Sequence, residues 1–179
     1  MKYLKFMLAA LLVVPIIVYI GITKHPYSFL FAWVLNFGLM MAVFIFTNTF
    51  TPKLTSDYYN SKKWEANGAI YKWLGVDIFR KFLVLIGWEK VIRAGSPIKK
   101  NPDAIKHLEN GTRQSEFGHL VIFFIVLIVN VFVALSFGIT KSLSLFFTNI
   151  IFNFYPVILQ RSNRPRLQRM LRINARKQL

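Results

Sequence analysis

The sequence predicts an all-α integral membrane protein: four transmembrane helices, a cytoplasmic amphipathic helical segment between the second and third, and cytoplasmic N- and C-termini. Three observations carry this. Of 179 residues, 55% are hydrophobic and 16% aromatic, with 18 Phe. Only 17% are charged, where an average soluble domain has about 25%. The charge is also one-sided, 23 Lys plus Arg against 7 Asp plus Glu, for a net +16. This composition excludes a disordered chain and argues against an ordinary soluble enzyme. The length fits a single membrane domain, 1–179. With no Cys, a disulfide frame, a thiolate metal site and a cysteine nucleophile are all excluded.

Four apolar runs supply the spans: 4–22, 27–47, 117–137 and 143–159. A bilayer-crossing helix needs roughly 17–25 mostly apolar residues, and lipid offers no partners to free backbone groups, so each span must be helical. The first run follows Lys2 and contains Lys5, which also suits a signal peptide. Its exit, Gly21-Ile22-Thr23-Lys24, lacks a small-x-small cleavage site, which favours a retained helix. The fourth run is the shortest and holds Asn149, Asn153 and Pro156.

Basic residues set orientation. Segment 48–116 holds twelve Lys or Arg and all seven acids; the tail, 160–179, holds Arg161, Arg164, Arg166, Arg169, Arg172, Arg176 and Lys177 and no acid. The two short connections carry only Lys24 and Lys141. An even number of spans then places both termini and segment 48–116 in the cytoplasm. The expected location is a bacterial cytoplasmic membrane, crossed several times. The basic excess faces anionic lipid, so membrane lipids are the expected partners; nucleic acid is not, given the hydrophobic spans. Oligomeric state cannot be read.

Within segment 48–116, Trp64, Ile70, Trp73, Leu74, Phe79, Phe82, Leu83, Ile86 and Trp88 alternate with Lys72, Arg80, Lys81, Lys90 and Arg93. That pattern predicts short helices lying at the membrane interface, broken at Gly75 and Gly87; a soluble cap folded on itself is the alternative. Asn101-Pro102-Asp103 predicts a helix start, with Asn as cap and Pro first. Gly111 falls inside any helix running on to the third span. Asn110-Gly111-Thr112 is a glycosylation sequon that a cytoplasmic position would leave unused.

Polar groups inside spans are costly and are candidates for function. Glu116 and His119, three apart, share a helix face. A carboxylate beside an imidazole can fix its tautomer and make it a better base. An interfacial pair that anchors the helix end is the plainer alternative. Asn36 and Asn130 suit interhelical hydrogen bonds. Asn149, Asn153 and Gln160 form a stripe on the fourth helix, where Pro156 deprives the Phe152 carbonyl of its partner. Beyond it, Gln160, Arg161, Asn163, Arg164 and Arg166 exceed what a lipid anchor requires. Arginine offers a planar fork suited to phosphate or carboxylate.

Two stretches carry a resemblance. Glu109 to His119 (Glu-Asn-Gly-Thr-Arg-Gln-Ser-Glu-Phe-Gly-His) and Asn153 to Ile173, ending Gln-Arg-Ser-Asn-Arg-Pro-Arg-Leu-Gln-Arg-Met-Leu-Arg-Ile, resemble the glycosyl-diaponeurosporenoate acyltransferase family. Trp64-Glu65-Ala-Asn67-Gly68-Ala-Ile-Tyr71 is similar to that family's Glu-x-x-Gly stretch. The resemblance spans about Trp64 to Ile173. It departs at Ser162, where the family usually has Tyr, and at Leu120, where an aromatic often follows the His. It implies a small membrane enzyme that moves a fatty acyl chain to a sugar hydroxyl of a glycosylated carotenoid.

The expected chemistry is therefore acyl transfer from an activated thioester, on coenzyme A or a carrier protein, to a lipid-embedded glycosylated isoprenoid or glycolipid. His119 is the expected base and Glu116 its orienting partner. Asn153, Gln160 and Asn163 are candidate donors to the tetrahedral oxyanion, and Arg161, Arg164 and Arg166 candidate holders of phosphate or headgroup. No permanently bound cofactor is expected, nor a metal, because no ligand-spaced pair is present. The alternatives are a non-enzymatic membrane subunit that binds lipid or a partner protein, and another small membrane enzyme such as a methyltransferase or reductase.

Overall fold

A computed structural model describes residues 2–88 and 102–176. Among them every regular element is a helix and no strand is present. Lys90, Arg93, the Asn101 cap and Lys177 lie outside the described residues. The chain forms two compact units: residues 1–53 with 117–156, and 54–116 with 157–179.

The first unit opens with α1 (Lys2–Lys24) and α2 (Phe29–Phe50), joined by a tight turn with His25 at φ 67°. Ser28 caps α2, its hydroxyl accepting from the Phe31 N–H at 3.1 Å. Glycines let the helices close up. A Cβ at Gly38 would stand 3.0 Å from Val13 and 3.1 Å from Ile17, and one at Gly21 would stand 3.1 Å from Phe31. Small residues at such crossings are how helices associate in lipid, where no hydrophobic force drives them together. The helix α5 (Pro102–Phe137) lends its residues from Phe117 onward to this unit. Gly138, at φ 96°, reverses the chain into α6 (Ile139–Asn149). Phe31, Ala32, Leu35, Ile122, Val126, Val133 and Leu145 form the buried core. Outside it, Leu11, Phe44, Ile128 and Leu135 are openly exposed. A soluble protein rarely shows so continuous an apolar surface; acyl chains would cover it.

Among the described residues, three helices are long and apolar enough to cross a membrane: Phe29–Phe50, Pro102–Phe137 and the continuous stretch Ile139–Arg176. The expectation of four spans is corrected at the first run, where the apolar helix counts only over Ala10–Lys24. The expectation of both termini on one side rests on an even number of crossings, and three do not support it.

The second unit starts with tight turns over Asp57–Tyr59 and Lys63–Gly68, followed by α3 (Ala69–Trp73) and α4 (Val76–Leu85). The breaks fall at Gly75 (φ 80°) and Gly87 (φ 76°), as the glycines predict. In α4, Val76 and Phe79 are buried while Ile78, Phe82 and Leu85 are exposed, and Trp73 before it is 92% exposed. Arg80 and Lys81 sit among them. Helix α5 runs through Gly111 without a break, although a Cβ there would meet open space. The helix α7 (Tyr155–Arg176) completes the unit from Val157 onward. Gly68 is required by contact as well as by its φ of 90°: a Cβ would stand 3.0 Å from the Ser162 carbonyl.

Candidate functional site

In the first unit the sequence-predicted polar residues of α2, α5 and α6 meet. Between α6 and α7 the chain widens into one π turn, Ile150–Phe154, with the Tyr155 N–H bonded to the Ile150 carbonyl. Such turns often mark functional positions. Pro156 cannot supply the usual donor to the Phe152 carbonyl, and the His119 ring hydrogen-bonds to the Phe152 backbone. His119 is half-buried. Its Nδ1 stands 3.4 Å from the Asn153 Oδ1.

The polarity of that contact can be traced from the backbone. Asn36 Nδ2 donates to the Ala32 carbonyl at 2.8 Å, and a carbonyl can only accept. The Asn36 Oδ1 therefore faces Asn153, whose Nδ2 donates to it at 2.6 Å. Asn149 Nδ2 likewise donates to the Phe123 carbonyl at 3.0 Å, so its Oδ1 also accepts from Asn153 Nδ2, at 2.9 Å. Both amide hydrogens of Asn153 are thus committed, and its Oδ1 is the acceptor turned toward His119. In that contact Nδ1 is then the donor. Asn36 and Asn153 are fully buried. The expected oxyanion role leaves Asn153 no free N–H.

In the second unit the arginine motif folds inward. Arg161 lies over the Tyr58 ring at 4.4 Å. It donates through Nε to Glu116 at 2.8 Å, through Nη1 to Glu65, and through Nη2 to the Tyr58 carbonyl at 2.8 Å. Arg164 donates through Nε to Thr112 at 3.2 Å and through Nη1 to the Tyr59 carbonyl at 3.1 Å. Its Nη2 meets the other Glu116 oxygen at 2.5 Å, as an ion contact rather than an aligned hydrogen bond. Glu65 also accepts from the Tyr71 hydroxyl at 2.9 Å and the Lys62 N–H at 3.0 Å. All four charged side chains are buried. Burial holds the Tyr58, Tyr59 and Tyr71 hydroxyls above the ordinary tyrosine value, with Glu116 adding to it for the first two and Glu65 for the third.

The predicted pairing of Glu116 with His119 is replaced. The Glu116 carboxylate goes to Arg161 and Arg164, and the imidazole Nδ1 goes to Asn153. A charge-assisted bond to guanidinium is roughly twice as strong as a neutral one, so a buried carboxylate takes that partner. Of the remaining candidates, Asn163 accepts from Arg80 at 3.1 Å, Gln160 is half-buried, and Arg166 is exposed. Asn130 makes the expected interhelical bond, to the Ser142 carbonyl at 3.2 Å.

Sequence reasoning did not single out Tyr58, Tyr59 or Thr112. Glu65 stands out in the sequence only through the Glu-x-x-Gly resemblance. A signal was available for Glu65, an acid placed directly between Trp64 and Ala66.

A family model described as glycosyl-4,4'-diaponeurosporenoate acyltransferase matches residues 55–173. No curated protein and no solved structure matches the chain.

Proposed function

The chain belongs to the glycosyl-4,4'-diaponeurosporenoate acyltransferase family, and from that premise we propose a mechanism in which His119 Nε2 is the general base of acyl transfer. Membership makes the chain an acyltransferase of carotenoid biosynthesis, and its long apolar helices make it a membrane protein. This decides against the non-enzymatic subunit and the other enzyme classes. The proposed donor is an acyl thioester, and the proposed acceptor is a sugar hydroxyl on a glycosylated carotenoid held in the bilayer.

The observation that carries the mechanism is the amide relay, which turns an acceptor toward Nδ1 and so favours a lone pair on Nε2. The acceptor hydroxyl gives its proton to Nε2 as its oxygen attacks the thioester carbonyl carbon. The tetrahedral intermediate collapses, the carbon–sulfur bond breaks, and the imidazolium returns the proton to the departing thiolate. Asn153 holds Nδ1–H in place, so the ring presents the same nitrogen at each turnover. Glu116, Arg161 and Arg164 act as a structural clamp. The basic excess of residues 54–116 and 157–179 supports a cytoplasmic face for both segments, and the exposed Trp73, Ile78 and Leu85 support contact of α3 and α4 with the bilayer interface.

Lipid extracts from cells with the intact protein, with His119→Ala and with none should be compared by mass spectrometry. A carotenoid species heavier by one acyl group should appear only with the intact protein. Its undiminished presence with His119→Ala would overturn the assignment of the base.

A further inference from the structure

With Arg161 and Arg164 committed to buried carboxylates, the anion-holding role expected of the arginine motif passes to other residues. The second unit has a cleft of ≈ 540 Å³ whose walls include Lys62, Lys63, Arg113, Arg172, Asn67 and Gln168. One acid, Glu109, borders it. That carboxylate is buried, held by Arg113 at 2.8 Å and by Gln168 at 3.3 Å. Arg113 is further tied to the Leu54 carbonyl at 2.8 Å. Lys62 bonds the Asp57 carbonyl at 2.7 Å and stands 3.7 Å from its carboxylate.

Lys63 and Arg172 differ. Both are exposed, and among the described residues neither is paired with an acid. The cleft therefore has a braced, hydrogen-bonded floor and a rim with cationic charge to spare. Asn67, at φ 55° beside Ala66 at φ 47°, adds an amide from a strained left-handed pair. Such backbone tends to persist where a site needs it.

A general attraction to anionic lipid explains this poorly. A lipid-facing surface carries exposed aromatic and aliphatic groups, and in this unit these are densest on α3 and α4, with Trp64 and Ile173 exposed beside Lys63 and Arg172. None of the lining residues is on either helix, and Leu171 is the one aliphatic side chain among them. We propose that the cleft binds a phosphate-bearing ligand, with the ammonium of Lys63 and the guanidinium fork of Arg172 on the phosphate oxygens and the Asn67 amide beside them. Resting on the acyl-transfer reading, it would take the phosphorylated portion of the acyl donor. A concave site of this volume suits a small bisphosphate, whereas an acidic carrier protein would dock on a broad surface.

The probe is adenosine 3′,5′-bisphosphate, titrated calorimetrically into the full-length protein in neutral phosphatidylcholine nanodiscs. Saturable binding is expected, weakened at least tenfold by Lys63→Ala or Arg172→Ala, since a charge-assisted bond is worth that much. Lys63→Glu should weaken it further. Arg169→Ala, an exposed arginine on the same helix but outside the cleft, should leave it unchanged. In nanodiscs of phosphatidylglycerol, loss of bisphosphate binding would support the same phosphate site with lipid as its source. Equal effects of Arg169→Ala and Arg172→Ala, or no binding of either phosphate, would overturn the proposal. So would binding of an acidic carrier protein that Lys63→Ala and Arg172→Ala do not disturb. Because binding is read without turnover, loss of the cleft and loss of the His119 mechanism are told apart.

Discussion

Around His119 the named side-chain partners are neutral: the amides of Asn153, Asn36 and Asn149 and the hydroxyl of Thr148. Around Glu116 the partners are charged: Arg161 and Arg164, with Glu65 on the far side of Arg161. The two regions use opposite strategies for placing polar groups out of water. Amide bonds between membrane helices average about 0.6 kcal/mol and reach about 1.7. They orient a ring but add little stability. A buried ion pair gains little over a well-packed apolar substitute, yet removing one member costs about 3–5 kcal/mol because a charge is left uncompensated. The first region should therefore yield variants that fold and fail to turn over, and the second variants that fail to fold.

The largest effect should come from Glu116→Ala, which strands the buried Arg164 guanidinium and leaves Arg161 with Glu65 as its one carboxylate partner. A loss of about 3–5 kcal/mol is expected, read as a lowered thermal midpoint in detergent. Three of the four Trp, at positions 64, 73 and 88, lie in the second unit, so tryptophan fluorescence should report it. Glu116→Gln keeps the shape and drops the charge, and should fall between. A normal midpoint in Glu116→Ala would break the contrast.

His119→Ala tests the other side. Turnover should fall about 10²–10⁴-fold, the usual worth of a positioned base, with an unchanged midpoint. Donor binding should change much less, because the imidazole acts mainly in the transition state. A shifted midpoint with near-normal turnover would move His119 into the structural class.

Asn36→Leu should sharpen the comparison further. It removes the acceptor of one Asn153 N–H, so the amide is free to turn over and offer its nitrogen to the ring. Turnover should fall about tenfold, which corresponds to roughly 1.4 kcal/mol. The diagnostic measurement is the ¹⁵N shift of the imidazole nitrogens. The intact protein should show Nδ1–H, and Asn36→Leu a mixture of tautomers. An unmixed Nδ1–H spectrum would mean that Asn153 needs no help from α2.

The smallest effect is expected at Gly111→Ala. The site is helical and open, so an added methyl meets no atom within 4 Å. A gain of about 0.5–1 kcal/mol is expected from the lower entropy of the unfolded chain, read in the same thermal assay. A loss would mean that the helix bends there.

The sequence by itself determined the helices, the apolar surface, the breaks at Gly75 and Gly87, and which segments hold the chemistry. Each follows from local rules of periodicity, backbone freedom and transfer from water, which need no knowledge of distant residues. It also placed the Phe152 carbonyl in want of a donor, because a proline four residues on removes one wherever the helix packs. Only the tertiary structure decided the partners. Spacing put Glu116 and His119 on one helix face, but a face is shared by whatever packs against it. Glu116 took Arg161, 45 residues away, because in a low-dielectric interior a full opposite charge outweighs a nearby neutral ring. The acceptor that faces His119 Nδ1 was set through two backbone carbonyls, Ala32 on α2 and Phe123 one turn along its own helix, each holding an amide distant in sequence from His119. An amide has no preferred orientation until something that can only accept, or only donate, is fixed beside it, and helix packing supplies that group.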